Sequence, residues 1–134
     1  MTLSPADSKQ RIFDLFHDLV QAETLDPEKV ADYLDPDYQQ RVDGVLLDYQ
    51  GFIAHMHRQK EAIARVEVEF LCLVAEGNVV FSNHQVHALT RDGRRVVVKV
   101  IAQFELKQGR LLRCDELTRL VSGTQEDEDL GSRH

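Results

Sequence analysis

Residues 66–120 decide the fold, and they read VEVEFLCLVAEGNVVFSNHQVHALTRDGRRVVVKVIAQFELKQGRLLRCDELTRL. Apolar and polar residues alternate through four segments of this stretch, and a period of two is typical of β-strands. Tight turns that contain glycine separate the segments, at 76–78, 92–93 and 107–109. The alternation therefore predicts an antiparallel sheet of successive hairpins. Its strands are expected at residues 66–75, 79–90, 95–106 and 110–120.

The residues before this stretch carry three helix signals. Ser4-Pro5 and Asp26-Pro27 each combine a side chain that can cap a helix with a proline suited to its first turn, and Asp48 can cap a third helix. Apolar residues recur at helical spacing after each cap, and a possible short strand at 38–42 precedes the third one. Helices followed by strands indicate an α+β fold. We expect three N-terminal helices packed on a strongly curved, four- to six-stranded antiparallel sheet, which together form a cone-shaped α+β barrel.

Length and charge limit the classes of protein to which the chain can belong. Its 134 residues, 43% of them hydrophobic, suffice for one core, and we expect a single domain over residues 1–121. Residues 122–134 form an acidic tail with nothing to bury, so we expect it to be mobile. The net charge of -7 opposes nucleic acid as a partner. A signal peptide and an apolar run of the roughly 20 residues that span a bilayer are both missing, which predicts a cytoplasmic protein without a membrane partner.

The cysteines and histidines do not form a recognisable metal site. Cys72 and Cys114 lie in separate predicted strands without CxxC spacing, so reduced thiols in the core are favoured over a disulfide or a reactive thiol. The histidine pairs 55/57 and 84/87 would each point to different sides of their element. The sequence also lacks the motifs of nucleophilic hydrolases, phosphate-binding loops and zinc proteases. We expect neither a metal nor a cofactor.

The lengths of the turns predict which side chains share a face of the sheet. The 92–93 turn, taken as two residues, would place His87 opposite Val98. The 107–109 loop, taken as three residues, would place Glu116 on the same face. This inner face is the one that the helices must cover, and its polar residues would line a pocket. They are expected to be Asn83, Gln85, His87, Cys114, Glu116 and Thr118.

The opposite, outer face of the predicted sheet is too apolar for bare solvent. It combines an apolar centre with charged edges, which is typical of a protein interface, and a two-fold dimer is the commonest such use. We therefore expect a homodimer, and an ordinary exposed sheet with scattered apolar residues is the alternative. The apolar centre would comprise Leu71, Leu73, Val86, Val97, Ile101 and Leu117.

Four segments carry a resemblance to a known superfamily. They are Leu25–Tyr33, Gln40–Gly44, Gly93–Phe104 and Gly109–Thr118. In these segments and their order, the chain resembles the nuclear transport factor 2-like superfamily, and within it the SnoaL-like and ketosteroid-isomerase-like branch. The resemblance implies a cone-shaped, ligand-binding pocket, which in this superfamily serves isomerases, cyclases, dehydratases, hydrolases and proteins without catalysis.

The resemblance also assigns roles to individual residues. Asp43 matches the aspartate at the pocket edge that is the general base of the isomerases. Ala102 stands where those isomerases carry a second acid for the oxyanion, and Phe16 or His17 stands near their helix-one tyrosine, so steroid isomerisation is not expected. The pocket-lining positions of the last strand fall on Cys114, Glu116 and Thr118.

Two hypotheses on function follow. In the first, the chain is a small-molecule pocket protein, either an acid-base enzyme or a binder of a small apolar ligand with a polar head. In the second, it is a non-catalytic dimeric binding or interaction module. The candidate acid-base residues are Asp43, His87 and Glu116, for which a turn aspartate, a structural histidine and a solvated glutamate at the rim are the respective alternatives. The candidate ligand-binding residues are Tyr33, Phe81, Asn83, Gln85, Ala102, Phe104, Cys114 and Thr118.

Overall fold

The computed structural model describes residues 3–123. The helices are α1 (Pro5–Leu15), α2 (Pro27–Tyr33) and α3 (Tyr49–Ala62), and a π-helical segment, Phe16–Val20, continues α1. The strands are β1 (Leu34–Val42), β2 (Val45–Asp48), β3 (Ile63–Glu76), β4 (Val79–Thr90), β5 (Arg95–Lys107) and β6 (Arg110–Ser122). No helix within the described residues is long and apolar enough to cross a bilayer. Most of the predicted acidic tail, residues 124–134, lies outside the described residues.

The predicted N-caps are confirmed at all three α-helices. The side chains of Ser4, Asp26 and Asp48 accept hydrogen bonds from backbone amides of the first turn, at 3.1, 2.9 and 2.8 Å. Beyond Leu15 the first helix changes to π geometry, which is rare and often marks a functional site. This π-helical segment lies against the sheet through Phe16.

The sheet has the strand order β2-β1-β6-β5-β4-β3. All neighbouring strands are antiparallel except β1 and β6, which pair in parallel. The predicted α+β fold is confirmed, and the four predicted strands correspond to β3 to β6. The alternation of residues predicts neither β2 nor the parallel pairing, because contacts between segments distant in sequence leave no local signal.

The predicted register between β4 and β5 is wrong by one residue. Their turn holds three residues rather than two, because the Thr90 amide donates to the Arg94 carbonyl oxygen and the Arg94 amide donates to Thr90 Oγ1, both at 2.9 Å. His87 consequently pairs with Val97 instead of Val98. Since side chains alternate along a strand, this shift moves every residue of β4 to the opposite face.

The other two hairpins need smaller corrections. β6 is displaced by two residues along β5, so that Glu116 pairs with Ala102, and a shift of two leaves the predicted faces of both strands unchanged. Between β3 and β4 the predicted pairs hold near the turn. A bulge between Phe70 and Cys72 then shifts the pairing by one residue, so that Phe70 pairs with His84 and lies on the inner face, as predicted.

The helices and the inner face of the sheet share one hydrophobic core. Phe16 contacts Phe70, His84 and Phe104 at ring-centroid distances of 5.3, 5.1 and 5.8 Å. These edge-on contacts attach the π-helical segment to β3, β4 and β5 at once. The residues that β4 directs inward are Val80, Ser82, His84, Val86 and Ala88.

The outer face is apolar at its centre, but its composition differs from the prediction. Leu73 and Val86 pack against the core instead of facing outward, because of the shifts in β3 and β4. Val97 is half-buried on the outer side of β5. The exposed apolar side chains of this face include Leu46, Leu71, Val74, Phe81, Ile101 and Leu117.

Candidate functional site

A cavity of about 110 Å³ lies between the helices and the inner face of the sheet. Its apolar wall includes Phe16, Phe52, Met56, Val98, Val100 and Phe104. Three strands and α3 add polar side chains to this wall, namely Gln40, His55, Gln59, His84, Cys114 and Glu116. Concave, mostly apolar sites with a few polar groups are the usual form of small-molecule sites. The cavity is therefore the candidate functional site.

Glu116 is the acidic residue that lines this cavity. It lies on β6 beside Ala102, and no hydrogen bond to its carboxyl group is made by the described residues 3–123. Burial raises the pKa of Glu116 to about 8, and the nearby charges of Asp43 and Asp115 raise it further in the same direction. The carboxyl group is thus mostly protonated at neutral pH and is free to bond to a ligand.

Asp43 lies next to Glu116 but outside the cavity. Its backbone has a positive φ of 50°, and its amide donates to the Glu116 carbonyl oxygen at 3.0 Å. Its carboxylate accepts a hydrogen bond from the Thr118 amide at 2.8 Å and another from Thr118 Oγ1. Both oxygens are therefore engaged, and Asp43 clamps the end of β1 to β6 while its charge acts on Glu116.

His84 is the second ionisable group of the cavity wall. It is 1% exposed on β4, and its Nδ1 forms a hydrogen bond with Ser82 Oγ. Burial lowers the pKa of His84 to about 4, with a smaller contribution from Lys99. Phe16 and Phe70 lie against the ring, at centroid distances of 5.1 and 5.3 Å. The imidazole is consequently neutral at physiological pH.

A third polar group lies where β1 meets β6. The Tyr38 hydroxyl donates to Gln40 Oε1 at 2.8 Å, and Gln40 is paired with Cys114 across the parallel strands. Burial raises the pKa of both the Tyr38 hydroxyl and the Cys114 thiol well above the ordinary values. All three side chains are therefore neutral. Within residues 3–123, no three His, Cys, Asp or Glu side chains form a group that could hold a metal ion.

The predicted site residues on β5 and β6 lie on the predicted face. Phe104, Cys114 and Glu116 line the cavity, and Ala102 is buried beside Glu116. Thr118 shares this side of β6, but its hydroxyl and amide bind Asp43.

Tyr33, a predicted ligand-binding residue, packs between α1 and α2 instead. Its hydroxyl donates to the Asp18 carboxylate, and the Arg11 guanidinium lies 4.2 Å from its ring centroid. Burial raises the pKa of Tyr33 to about 12, and the Asp18 carboxylate acts in the same direction. Tyr33 therefore supports the helix layer and does not line the cavity.

Four predicted site residues, all on β4, lie on the outer face of the sheet instead of the inner face. The three-residue turn before β5 directs them outward, and the prediction that they line the pocket is incorrect for this reason. His87 is exposed, and its Nε2 lies 3.1 Å from Glu69 Oε1. Cys72, predicted in the core, is exposed on β3, whereas Cys114 is buried as predicted. The four residues of β4 are Phe81, Asn83, Gln85 and His87.

The prediction misses several polar residues of the cavity. One signal in β4 was available, since Val80, Val86 and Ala88 place small apolar residues on the side that carries His84. A matching alternation in β1 places Tyr38 and Gln40 on one side. The position of His55 on α3 could not be deduced without the sheet on which the helix packs.

Comparisons with known proteins agree with this architecture. Residues 13–114 match the model of the SnoaL-like domain. The uncharacterized protein C11D3.04c of Schizosaccharomyces pombe (strain 972 / ATCC 24843) is 35% identical over 126 residues, which cover 94% of this chain and 96% of that protein.

Two solved structures show the same fold at low sequence identity. AclR, a putative hydroxylase from Streptomyces galilaeus, is 14% identical with a TM-score of 0.73, over 87% of this chain and 91% of that one. An LEH-like epoxide hydrolase of M. tuberculosis is 18% identical with a TM-score of 0.71, over 85% of this chain and 84% of that one. The matched domain model and the relative together carry the assignment. The chain belongs to the SnoaL-like family of the nuclear transport factor 2-like superfamily.

Proposed function

We propose that the chain binds a small, mostly apolar ligand with a polar head in the cavity, and that Glu116 exchanges a proton with this ligand. The reaction is of the isomerase, cyclase, dehydratase or hydrolase type, each of which needs a positioned acid or base. One observation carries the proposal: a carboxyl group without an internal hydrogen-bond partner among residues 3–123 lines an apolar cavity, and its pKa is about 8. Perturbed acids in such places are typical of functional sites.

Glu116 suits this role better than Asp43. A group whose pKa lies near the working pH can both give up and recover a proton at little cost in free energy. The Asp43 carboxylate is exposed and holds two hydrogen bonds from Thr118, so it has less capacity to bind a ligand. Burial is the main cause of the raised pKa of Glu116, and Asp43 contributes its negative charge in the same direction.

Hydrogen–deuterium exchange on simple ketones tests the proposal without knowledge of the natural ligand. Cyclohexanone and phenylacetone are incubated with the protein in D₂O, and loss of the C–H signals beside the carbonyl is followed by NMR. We expect exchange above the buffer rate, and we expect Glu116→Gln to lower it by about 100-fold or more, the usual contribution of a general acid or base. Glu67→Gln is the matched control, because it makes the same substitution at an exposed glutamate of β3 that does not line the cavity. Equal rates for the wild type and Glu116→Gln would contradict the proposal.

A non-catalytic dimeric module is the second candidate, and the outer face favours it. Ile101 and Leu117 are paired across β5 and β6, with 47% and 67% of their surface exposed. Phe81, on β4, adds an aromatic side chain that is also 47% exposed. Charges of both signs surround them, with Glu69 beside His87 and Arg113 beside Glu105. A surface of this kind can pair with its own copy around a two-fold axis, so we propose a homodimer through the outer face.

A further inference from the structure

Two of the polar groups that line the cavity, Glu116 and His84, lie two strands apart on the inner face of the sheet, and this arrangement bears on the ligand that Glu116 would act upon. Glu116 belongs to β6 and His84 to β4, and both line the cavity. β5 runs between these strands, so the two backbones are about 10 Å apart, or two strand spacings. Side chains of a concave inner face converge from such positions toward the centre of the cavity.

The wall between the two groups is apolar. β5 contributes Val98, Val100 and Phe104 there, and Phe16 closes the cavity from the helix side. A flat ring fits such a surface, because apolar contacts on both faces of the ring replace water molecules that cannot form hydrogen bonds with the wall. The cavity volume of about 110 Å³ corresponds to a ligand with one ring rather than several.

Both polar groups are uncharged in the folded protein. The Glu116 carboxyl is mostly protonated, so it donates a hydrogen bond, for which a carbonyl oxygen is the natural acceptor. The His84 imidazole is neutral, and Ser82 occupies its Nδ1, which leaves Nε2 for a ligand. Nε2 is a donor or an acceptor according to the tautomer, and a ligand hydroxyl can bond to either form.

We propose that the cavity selects a neutral hydroxy-ketone built on one flat ring, with its carbonyl oxygen bound by the Glu116 carboxyl and its hydroxyl bound by His84 Nε2 two strands away. This inference rests on the proposed function, because it names the ligand class of the same site. It goes further by giving the site a second binding residue and by disfavouring carboxylate and ammonium ligands, for which the uncharged Glu116 and His84 offer no compensating charge.

A series of small aromatic ligands tests the proposal by calorimetry or NMR titration at pH 7. We expect 4-hydroxyacetophenone to bind about tenfold more tightly than acetophenone or phenol, each of which lacks one of the two polar groups. The ortho isomer, 2′-hydroxyacetophenone, has the same atoms, but its hydroxyl donates an intramolecular hydrogen bond to the carbonyl oxygen, so it should bind like acetophenone. The anion 4-hydroxybenzoate should bind at least tenfold more weakly than 4-hydroxyacetophenone.

Substitution of His84 tests whether this residue binds the hydroxyl of the ligand. In His84→Leu we expect 4-hydroxyacetophenone to lose its tenfold advantage, while the affinity for acetophenone stays within about twofold. His87→Leu is the matched control, because this histidine lies on the same strand with its side chain on the outer face. It should change neither affinity.

His84→Leu leaves the Ser82 hydroxyl without its partner, so the double variant Ser82→Ala/His84→Leu is the alternative if the single variant does not fold. If neither variant folds, the ligand series on the wild type decides alone. The proposal is overturned if the para-hydroxyl adds no affinity, if no ligand of the series binds at millimolar concentration, or if His84→Leu keeps the tenfold advantage. Ketone exchange that depends on Glu116 but gains nothing from a second polar group would reject this inference and leave the proposed function standing.

Discussion

At the scale of single residues, two neighbouring acids have different surroundings. Glu116 and Asp43 lie at the joined ends of β6 and β1, where the Asp43 amide bonds to the Glu116 carbonyl oxygen. Thr118 supplies two donors to Asp43, whereas the apolar cavity supplies none to Glu116. A buried acid whose pKa is raised in this way is typical of functional sites.

Glu116→Gln should stabilise the protein at neutral pH. Because the pKa of Glu116 rises from 4.5 unfolded to about 8 folded, its favourable contribution is complete below about pH 4.5 and is lost as pH rises toward 8. The free energy of unfolding of the glutamine variant should therefore exceed that of the wild type by an amount that grows from pH 5 to pH 8. This difference reaches at most about 5 kcal/mol, and it is smaller to the extent that water reaches the carboxyl group. Urea denaturation at several pH values measures it. If the difference in free energy of unfolding between the variant and the wild type is the same at every pH, the raised pKa of Glu116 is contradicted.

Asp43→Asn should lower the pKa of Glu116 without unfolding the protein. The charge of Asp43 is the second cause of that raised pKa after burial, so its removal should move the pKa toward, but not to, its ordinary value. The side-chain oxygen of the introduced asparagine can still accept from the Thr118 amide, which preserves the clamp. Titration of the ¹³C-labelled Glu116 carboxyl by NMR measures the shift, with Asp92→Asn, in the distant 91–93 turn, as the control. If the pKa of Glu116 is unchanged in Asp43→Asn, the charge of Asp43 does not act on Glu116.

At the scale of elements, Lys60 joins the π-helical segment to α3. Its Nζ donates to the carbonyl oxygens of Leu19 at 2.9 Å, Val20 at 3.5 Å and Ala22. The Gln21 side chain accepts a hydrogen bond from the Val68 amide at 2.7 Å and attaches the same segment to β3. These contacts hold Phe16 and Val20 against the cavity, where both form part of the wall.

Lys60→Met should lower stability by roughly 1–3 kcal/mol, because methionine keeps the apolar stem and leaves partly buried carbonyl oxygens without a donor. Thermal and urea denaturation measure the loss. Lys29→Met is the control at an exposed lysine of α2, and we expect it to stay within about 0.5 kcal/mol of the wild type. If the two variants are equally stable, the Lys60 contacts do not hold the segment in solution.

At the scale of the whole molecule, the two faces of the sheet differ in character. The concave face holds the cavity, and the convex, outer face holds the exposed apolar side chains around Ile101. Since the two faces share the same strands, a dimer through the outer face would also hold the curvature of the sheet on which the cavity depends.

Ile101→Glu should convert the proposed homodimer into a monomer. Two glutamates near a two-fold axis would bury like charges at the centre of the interface, which costs several kcal/mol. Sedimentation velocity measures the change in mass, and Phe13→Glu is the control because Phe13 is similarly exposed, at 48%, on the helix side. A wild-type protein that sediments as a monomer, or a dimer that survives Ile101→Glu, would exclude the outer face as the interface.

The sequence by itself determined the local elements and the family. Caps at Ser4, Asp26 and Asp48 define the helices, and period-two alternation with glycine turns defines β3 to β6, because each signal lies within a few neighbouring residues. The inward direction of Glu116 was also predictable, since an error of two residues in register preserves a face.

Only the tertiary structure decided which polar residues meet Glu116 in the cavity. His84 faces inward because hydrogen bonds between Thr90 and Arg94 close a three-residue turn, whereas the Asp-Gly pair in that turn is compatible with two residues as well. Gln40 reaches the site through a parallel pairing of β1 with β6, which connects segments at opposite ends of the chain. Strand register and long-range pairing follow from the burial of whole faces rather than from local preference, so the composition of the site emerges only when the sheet closes around its core.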